Sequence, residues 1–175
     1  MAPRRPEDQP EAEPLIGTKL RVPPSRNDLV SRSELVELLH VGSRRTLTLL
    51  SAPAGYGKTT LLSEWCAAEA GDHLFAWLSL ELQDDHTVRF WTYVIEALRT
   101  IAPDVGARSL AALKAGADLT RFVLPPLVNE LTSLPGEVIL VLDDYLHIRE
   151  RRNCPEGHDQ PARAVNEMMV SRGYT

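Results

Sequence analysis

Surplus positive charge is the first thing this sequence lacks: 19 lysines and arginines stand against 24 aspartates and glutamates, a formal net charge of −5. Without an overall basic field, the piece has no electrostatic footprint for nucleic acid. Cysteine is scarce. Cys66 and Cys154 make no disulfide framework, and Cys66 sits in an apolar helical pattern where it reads as a small buried hydrophobe. No apolar run is long enough to span a bilayer, and the N-terminus lacks the continuous apolar core of a secretory signal. A soluble, cytoplasmic protein is expected. What is present is an ordinary globular mix, 43% hydrophobic and 25% charged over 175 residues, enough for one domain with a real core.

The chain is organised around Ser51-Ala52-Pro53-Ala54-Gly55-Tyr56-Gly57-Lys58-Thr59-Thr60. It follows the apolar run Thr46 to Leu50, read as a strand, and precedes Leu61 to Trp65, which has helical spacing. A strand, a glycine-containing loop ending in Gly-Lys-Thr and a helix together read as a P-loop. Glycines let successive backbone N–H groups turn inward around a phosphate, and a helix N-terminus adds its own unpaired donors. Lys58 is placed to reach the β- and γ-phosphates, and the Thr59 hydroxyl to bind Mg²⁺. The first position of the motif is Ala52 rather than glycine, which is tolerable if that residue keeps φ negative.

Residues 1–14 are proline-rich and charged and are expected to be disordered. Ser31 or Ser33 offers an N-cap to a short helix carrying Leu35, Val36, Leu38 and Leu39, stopping near Gly42. After the loop helix, Leu74 to Ser79 reads as a buried strand, and Glu81 to His86 as a polar loop. Phe90, Trp91, Val94, Ile95 and Leu98 recur at helical spacing, which reads as helix core rather than a base-stacking platform. Ala102-Pro103 stops that helix. Ser109 to Lys114 and Leu119 to Leu134 look helical, with Pro125-Pro126 interrupting the second at or before Leu124.

Val138 to Leu142 is five consecutive aliphatics ending in Asp143-Asp144. That pattern fits a strand buried on both faces with its acidic end at the ligand edge of a parallel sheet, a Walker B element. Asp143 is the expected Mg²⁺ ligand. Asp144 is the candidate catalytic residue, orienting or deprotonating water, with a structural carboxylate as the alternative. Tyr56 either packs beside a nucleotide or faces solvent. His147 reads as an exposed polar residue. Cys154, His158 and Asp159 have metal-ligand types but the spacing of a poor zinc site. Residues 149–175 form a polar tail with, at most, a short helix over 162–170. The expected fold is α/β, a P-loop NTPase over 15–148 with a parallel sheet and flanking helices.

Several segments in one order carry a specific resemblance: Thr18-Lys19-Leu20 with Pro23 and Arg26, Leu29 to Arg32, Ser51 to Trp65, Trp77 to Leu80, Arg89-Phe90-Trp91 and Ile139 to Tyr145. Together they resemble the N-terminal nucleotide-binding module of the large, maltose-activator-like LuxR-type transcriptional regulators, which are signal-transducing (STAND) ATPases. The resemblance implies ATP or ADP with Mg²⁺ as cofactors and a switch rather than a metabolic enzyme. ADP would hold a closed monomer; ATP with an inducer would favour a self-associated form that binds DNA through a C-terminal domain absent here. It further implies that Ala54, Gly55, Tyr56, Gly57, Lys58, Thr59 and Thr60 contact phosphates and that Thr59 and Asp143 hold the metal. Val30 and Arg32 would lie near the adenine. In this family a later strand enters the sheet between the P-loop strand and the Walker B strand. The resemblance therefore predicts a sheet left incomplete after Asp143, low stability, and weak, regulatory ATPase activity. The alternatives are a small stand-alone P-loop kinase or hydrolase, and an inactive truncated remnant.

Overall fold

The computed structural model describes residues 14–24 and 32–145. Val30, Ser31, Arg26, Leu29, His147, Cys154, His158, Asp159 and the polar tail lie outside the described residues, as does almost all of the N-terminal segment expected to be disordered.

Two strands, β1 (His73–Ser79) and β2 (Glu137–Asp143), pair in parallel from His73 opposite Glu137 to Ser79 opposite Asp143. Alternation along a strand then divides their side chains between two cores. On one face Ala76, Leu78 and Val138 join the larger cluster, with Leu74, Leu140 and Leu142 packed against it. That core is dominated by α3 (Thr87–Arg99), whose Phe90, Trp91, Tyr93, Val94, Ile95 and Leu98 are buried, so the aromatic stripe is helix core. It also takes in α4 (Ala107–Lys114) and α5 (Leu124–Thr132). On the opposite face, Trp77 and Val141 meet Leu39 of α1 (Ser33–Ser43) and Leu61, Trp65 and Cys66 of α2 (Lys58–Ala68). A ribbon covered by helices on both faces is why both strands read as nearly continuous apolar runs.

Three expectations change in detail. Ser33 is the first residue of α1 rather than its cap; Arg32 occupies the N-cap without a side-chain capping bond. A π-helical turn, Leu119–Val123, precedes α5, and the prolines fall in the first turn of α5, where no intrahelical N–H is required. Glu81 to His86 is not irregular throughout but contains a 3₁₀ turn, Leu82–Asp85, closed by a capping box between Glu81 and Asp84.

The larger correction concerns Thr46 to Leu50. Among the described residues these form no strand: the sheet holds β1 and β2 alone. A strand is a property of a pair, since its N–H and C=O groups need a neighbour's, and this segment runs beside no ladder. Leu47 and Leu49 stand 58% and 70% exposed, while Leu50 packs against the second core. Thr48 instead donates its hydroxyl to the Gly42 carbonyl at 2.7 Å.

The N-terminal strap is fastened by buried charge. A 3₁₀ turn, Gly17–Leu20, buries Lys19, whose Nζ lies 2.7 Å from Asp84 Oδ2 and 2.9 Å from Glu81 Oε2. Arg89 Nε donates to the other Asp84 oxygen at 3.0 Å. Burial alone would raise the Asp84 carboxyl, but hydrogen bonds from Lys19, Arg89 and the Glu81 N–H hold it below its ordinary 3.8. Burial likewise opposes the Lys19 charge, and its two carboxylate partners override that to raise it. Removing Asp84 takes from Lys19 and Arg89 the buried carboxylate they share, and leaves buried Lys19 with the half-exposed Glu81 carboxylate. Asp84→Ala is therefore expected to cost about 3–5 kcal/mol in urea unfolding. Because the Asp84 pKa is lowered by folding, its contribution is full above the ordinary carboxylate range and drains away as pH falls through it. A cost under about 1 kcal/mol would place this network in the class of weak surface pairs.

Candidate functional site

The site forms where the loop of residues 51–57 meets the C-terminal end of β2. Odd-numbered residues of β2 face α1 and α2, so Asp143 turns to the same side as Val141 and Ile139. Thr59, at the second position of α2, donates its hydroxyl to that carboxylate, 2.9 Å from Oδ2 and 3.1 Å from Oδ1. The two residues are 84 apart in sequence.

The loop takes the shape its glycines permit. Gly55 and Gly57 have φ of +82° and +73°, the left-handed region that L side chains rarely adopt. Gly57 is also the N-cap of α2, and its carbonyl accepts from the Leu61 N–H at 2.9 Å. The start of α2 is thus set by a left-handed glycine directly before Lys58. Ala52 is absent from the positive-φ residues, which meets the condition for alanine at the first motif position. Lys58 Nζ lies 2.9 Å from the Ala52 carbonyl and 3.2 Å from that of Pro53, so its ammonium ties the two ends of the loop together.

Arg32 reaches the loop from the N-cap of α1: Nη1 donates to the Tyr56 carbonyl at 2.8 Å, and its guanidinium lies alongside Gly57. This fixes Arg32 on the loop backbone. The Tyr56 ring is 64% exposed, in keeping with the solvent-facing alternative.

Electrostatics single out the end of β2. Burial pushes the Asp143 carboxyl above its ordinary 3.8, the Thr59 hydrogen bond opposes this, and the neighbouring Asp144 charge adds to it. Such a carboxylate gains from a cation beside it. Asp144 is exposed and is the described non-glycine residue with positive φ, +58°. Aspartate tolerates this left-handed region better than most L residues, and it turns the chain directly after β2. The structure therefore brings together Ala54, Gly55, Tyr56, Gly57, Lys58, Thr59, Thr60, Arg32, Asp143 and Asp144 at one end of the sheet; Val30 lies outside the described residues.

Sequence reasoning missed one cluster on the same side of the sheet. His40, Glu69 and His73 converge from α1, the end of α2 and the start of β1. The available signal was the four-residue spacing of Glu69 and His73, which here spans a turn rather than a helix.

No protein-family model matches the chain. Over 142 residues it is 33% identical to the serine/threonine-protein kinase PknK of Mycobacterium tuberculosis, a stretch covering 79% of this chain and 13% of that protein. Over 133 residues it is 35% identical to the HTH-type transcriptional regulator MalT of Yersinia pestis, covering 75% of this chain and 14% of MalT. MalT of Yersinia pseudotuberculosis gives the same figures. The chain thus spans 13% to 14% of the length of the curated relatives it matches. Three quarters or more of it is similar to one segment carried within these much larger proteins.

Proposed function

We propose that this chain is an ATP-binding P-loop module of a LuxR-type transcriptional regulator, working as a nucleotide-dependent switch. The observation that carries the reading is the Thr59 hydroxyl held against both oxygens of Asp143. A hydroxyl and a carboxylate meeting at the mouth of a glycine loop form an oxygen donor set suited to Mg²⁺. The left-handed Gly55 and Gly57 fit the same reading, since they free loop N–H groups to face an anion.

In this reading Ala54 to Thr60 hold the phosphates, Lys58 leaves the loop carbonyls for phosphate oxygens, and Thr59 and Asp143 hold Mg²⁺. Bound Mg-ATP supplies a γ-phosphate whose charge distinguishes two states of the protein. Arg32, bonded to the loop backbone, transmits the loop's position to α1; Val30 and Arg32 flank the base. Asp144 positions water for slow hydrolysis that resets the switch. Self-association in the ATP state and DNA binding through another domain complete the function. Similarity to a segment of MalT supports the regulatory reading.

Mg-ATP binding by the chain, followed with a fluorescent ATP analogue, is expected to weaken at least about 100-fold, some 2.7 kcal/mol, in Lys58→Ala. Asp143→Asn should abolish the Mg²⁺ dependence of binding. A folded Lys58→Ala variant that binds as tightly as the parent would overturn the assignment. Asp144→Asn is expected to keep nucleotide affinity and lose turnover; unchanged turnover would assign Asp144 to structure alone.

A further inference from the structure

The strand register that carries Ser79 and Asp143 to one end of the sheet carries His73 and Glu137 to the other, on the same face. At roughly 3.3 Å per residue the two ends are about 20 Å apart. Two helices supply the rest of this second site. Glu69 is the C-cap of α2, and its carbonyl accepts from the His73 N–H at 3.1 Å, so the turn stacks the two side chains. His40 comes from the last turn of α1.

The ligand-type atoms of His40, Glu69 and His73 lie within 4.8 Å of one another. His40 Nδ1 is 2.9 Å from Glu69 Oε1, and His73 Nε2 is 3.8 Å from Glu69 Oε2. Zn–N and Zn–O bonds of about 2.0–2.2 Å at tetrahedral angles separate neighbouring ligand atoms by roughly 3.4 Å, between the two observed spacings. His73 presents its other nitrogen, Nδ1, to Glu137 Oε2 at 3.5 Å. A carboxylate behind a ligating imidazole is the usual means of fixing its tautomer and orientation. The Phe75 ring, edge-on to His73 at 6.0 Å, packs against the same imidazole.

A second observation points to a ligand. His40 Nδ1 and Glu69 Oε2, both within the cluster, are shut off from solvent yet make no aligned hydrogen bond, and the same holds for His73 Nδ1 on the Glu137 side. The ion-pair distances above are close approaches without the geometry that would satisfy these atoms. Two such atoms within one three-residue cluster are unusual for a purely structural tie, because buried polar groups are nearly always paired. Cys66 packs in the neighbouring apolar cluster and is not among the described residues whose ligand atoms converge here.

We propose that His40, Glu69 and His73 bind a divalent transition ion of the zinc type, with water in the fourth position and Glu137 orienting His73. The ion clamps α1 and the end of α2 to the start of β1. The site is independent of the nucleotide reading.

The test is Zn²⁺ binding by the metal-free chain in competition with a chromophoric chelator, with Co²⁺ absorption reporting the ligands. One equivalent is expected, with the visible bands of four-coordinate Co²⁺ and no sulfur charge-transfer band. His40→Ala and His73→Ala should each abolish it, and Glu137→Gln should weaken it about tenfold. Asp143→Asn and the double variant Cys154→Ala/His158→Ala should leave it unchanged. Circular dichroism checks folding, and His40→Asn replaces any alanine variant that unfolds. No zinc binding, or binding that survives loss of either histidine but not of Cys154 and His158, would overturn the proposal.

Discussion

One side-chain contact couples the glycine loop to the sheet: the Thr59 hydroxyl against the Asp143 carboxylate. In an ordinary parallel sheet the segment feeding such a loop is held by ladder hydrogen bonds. Here Thr46 to Leu50 makes none, and two of its leucines face solvent. The loop is placed instead by α2 on its C-terminal side. Leu61, Trp65 and Cys66 of α2 pack on Trp77 and Val141, and Thr59 closes onto Asp143 from the same helix. Moving α2 would therefore dismantle the site, even with every loop residue intact.

Alternation along two paired strands decides what lies where. One set of side chains faces α3, α4 and α5 and builds the larger core around Trp91, Phe90 and Tyr93. The other faces α1 and α2 and carries all the chemistry described: Asp143 at the C-terminal edge, His73 and Glu137 at the N-terminal edge. A one-residue slip of β2 would turn Asp143 away from Thr59 and Glu137 away from His73 together. α1 touches both ends, through Arg32 on the loop backbone and His40 beside Glu69. The N-terminal strap is anchored separately, by Lys19 against Asp84 over α3.

Much of this is legible in the sequence, for identifiable reasons. The runs at 74–79 and 138–142 are apolar throughout because helices cover both faces, and both are strands. The aromatic spacing of α3 survives because that helix is buried on one side by the sheet. The pairing of Thr59 with Asp143 follows from motif chemistry. Thr46 to Leu50 misleads because its residues favour a strand while a strand also needs a partner, which local sequence does not disclose. Pro125 and Pro126 read as an interruption, although the same restricted φ suits a helix's first turn. His40, Glu69 and His73 are invisible because their meeting depends on how α1 docks, a tertiary fact. Asp84, one acid in a polar stretch, gives no sign that it is buried beneath Lys19 and Arg89.

The central claim is that Thr59 and Asp143 act as one unit in holding Mg-ATP. A double-mutant cycle on Mg-ATP affinity, using Thr59→Val and Asp143→Asn, tests it most directly. If the pair shares one metal, each single change weakens binding and the double variant is no weaker than the worse single one, within about 0.5 kcal/mol. Losses that add in full would contradict the claim, because they would mean that the two side chains act at separate places.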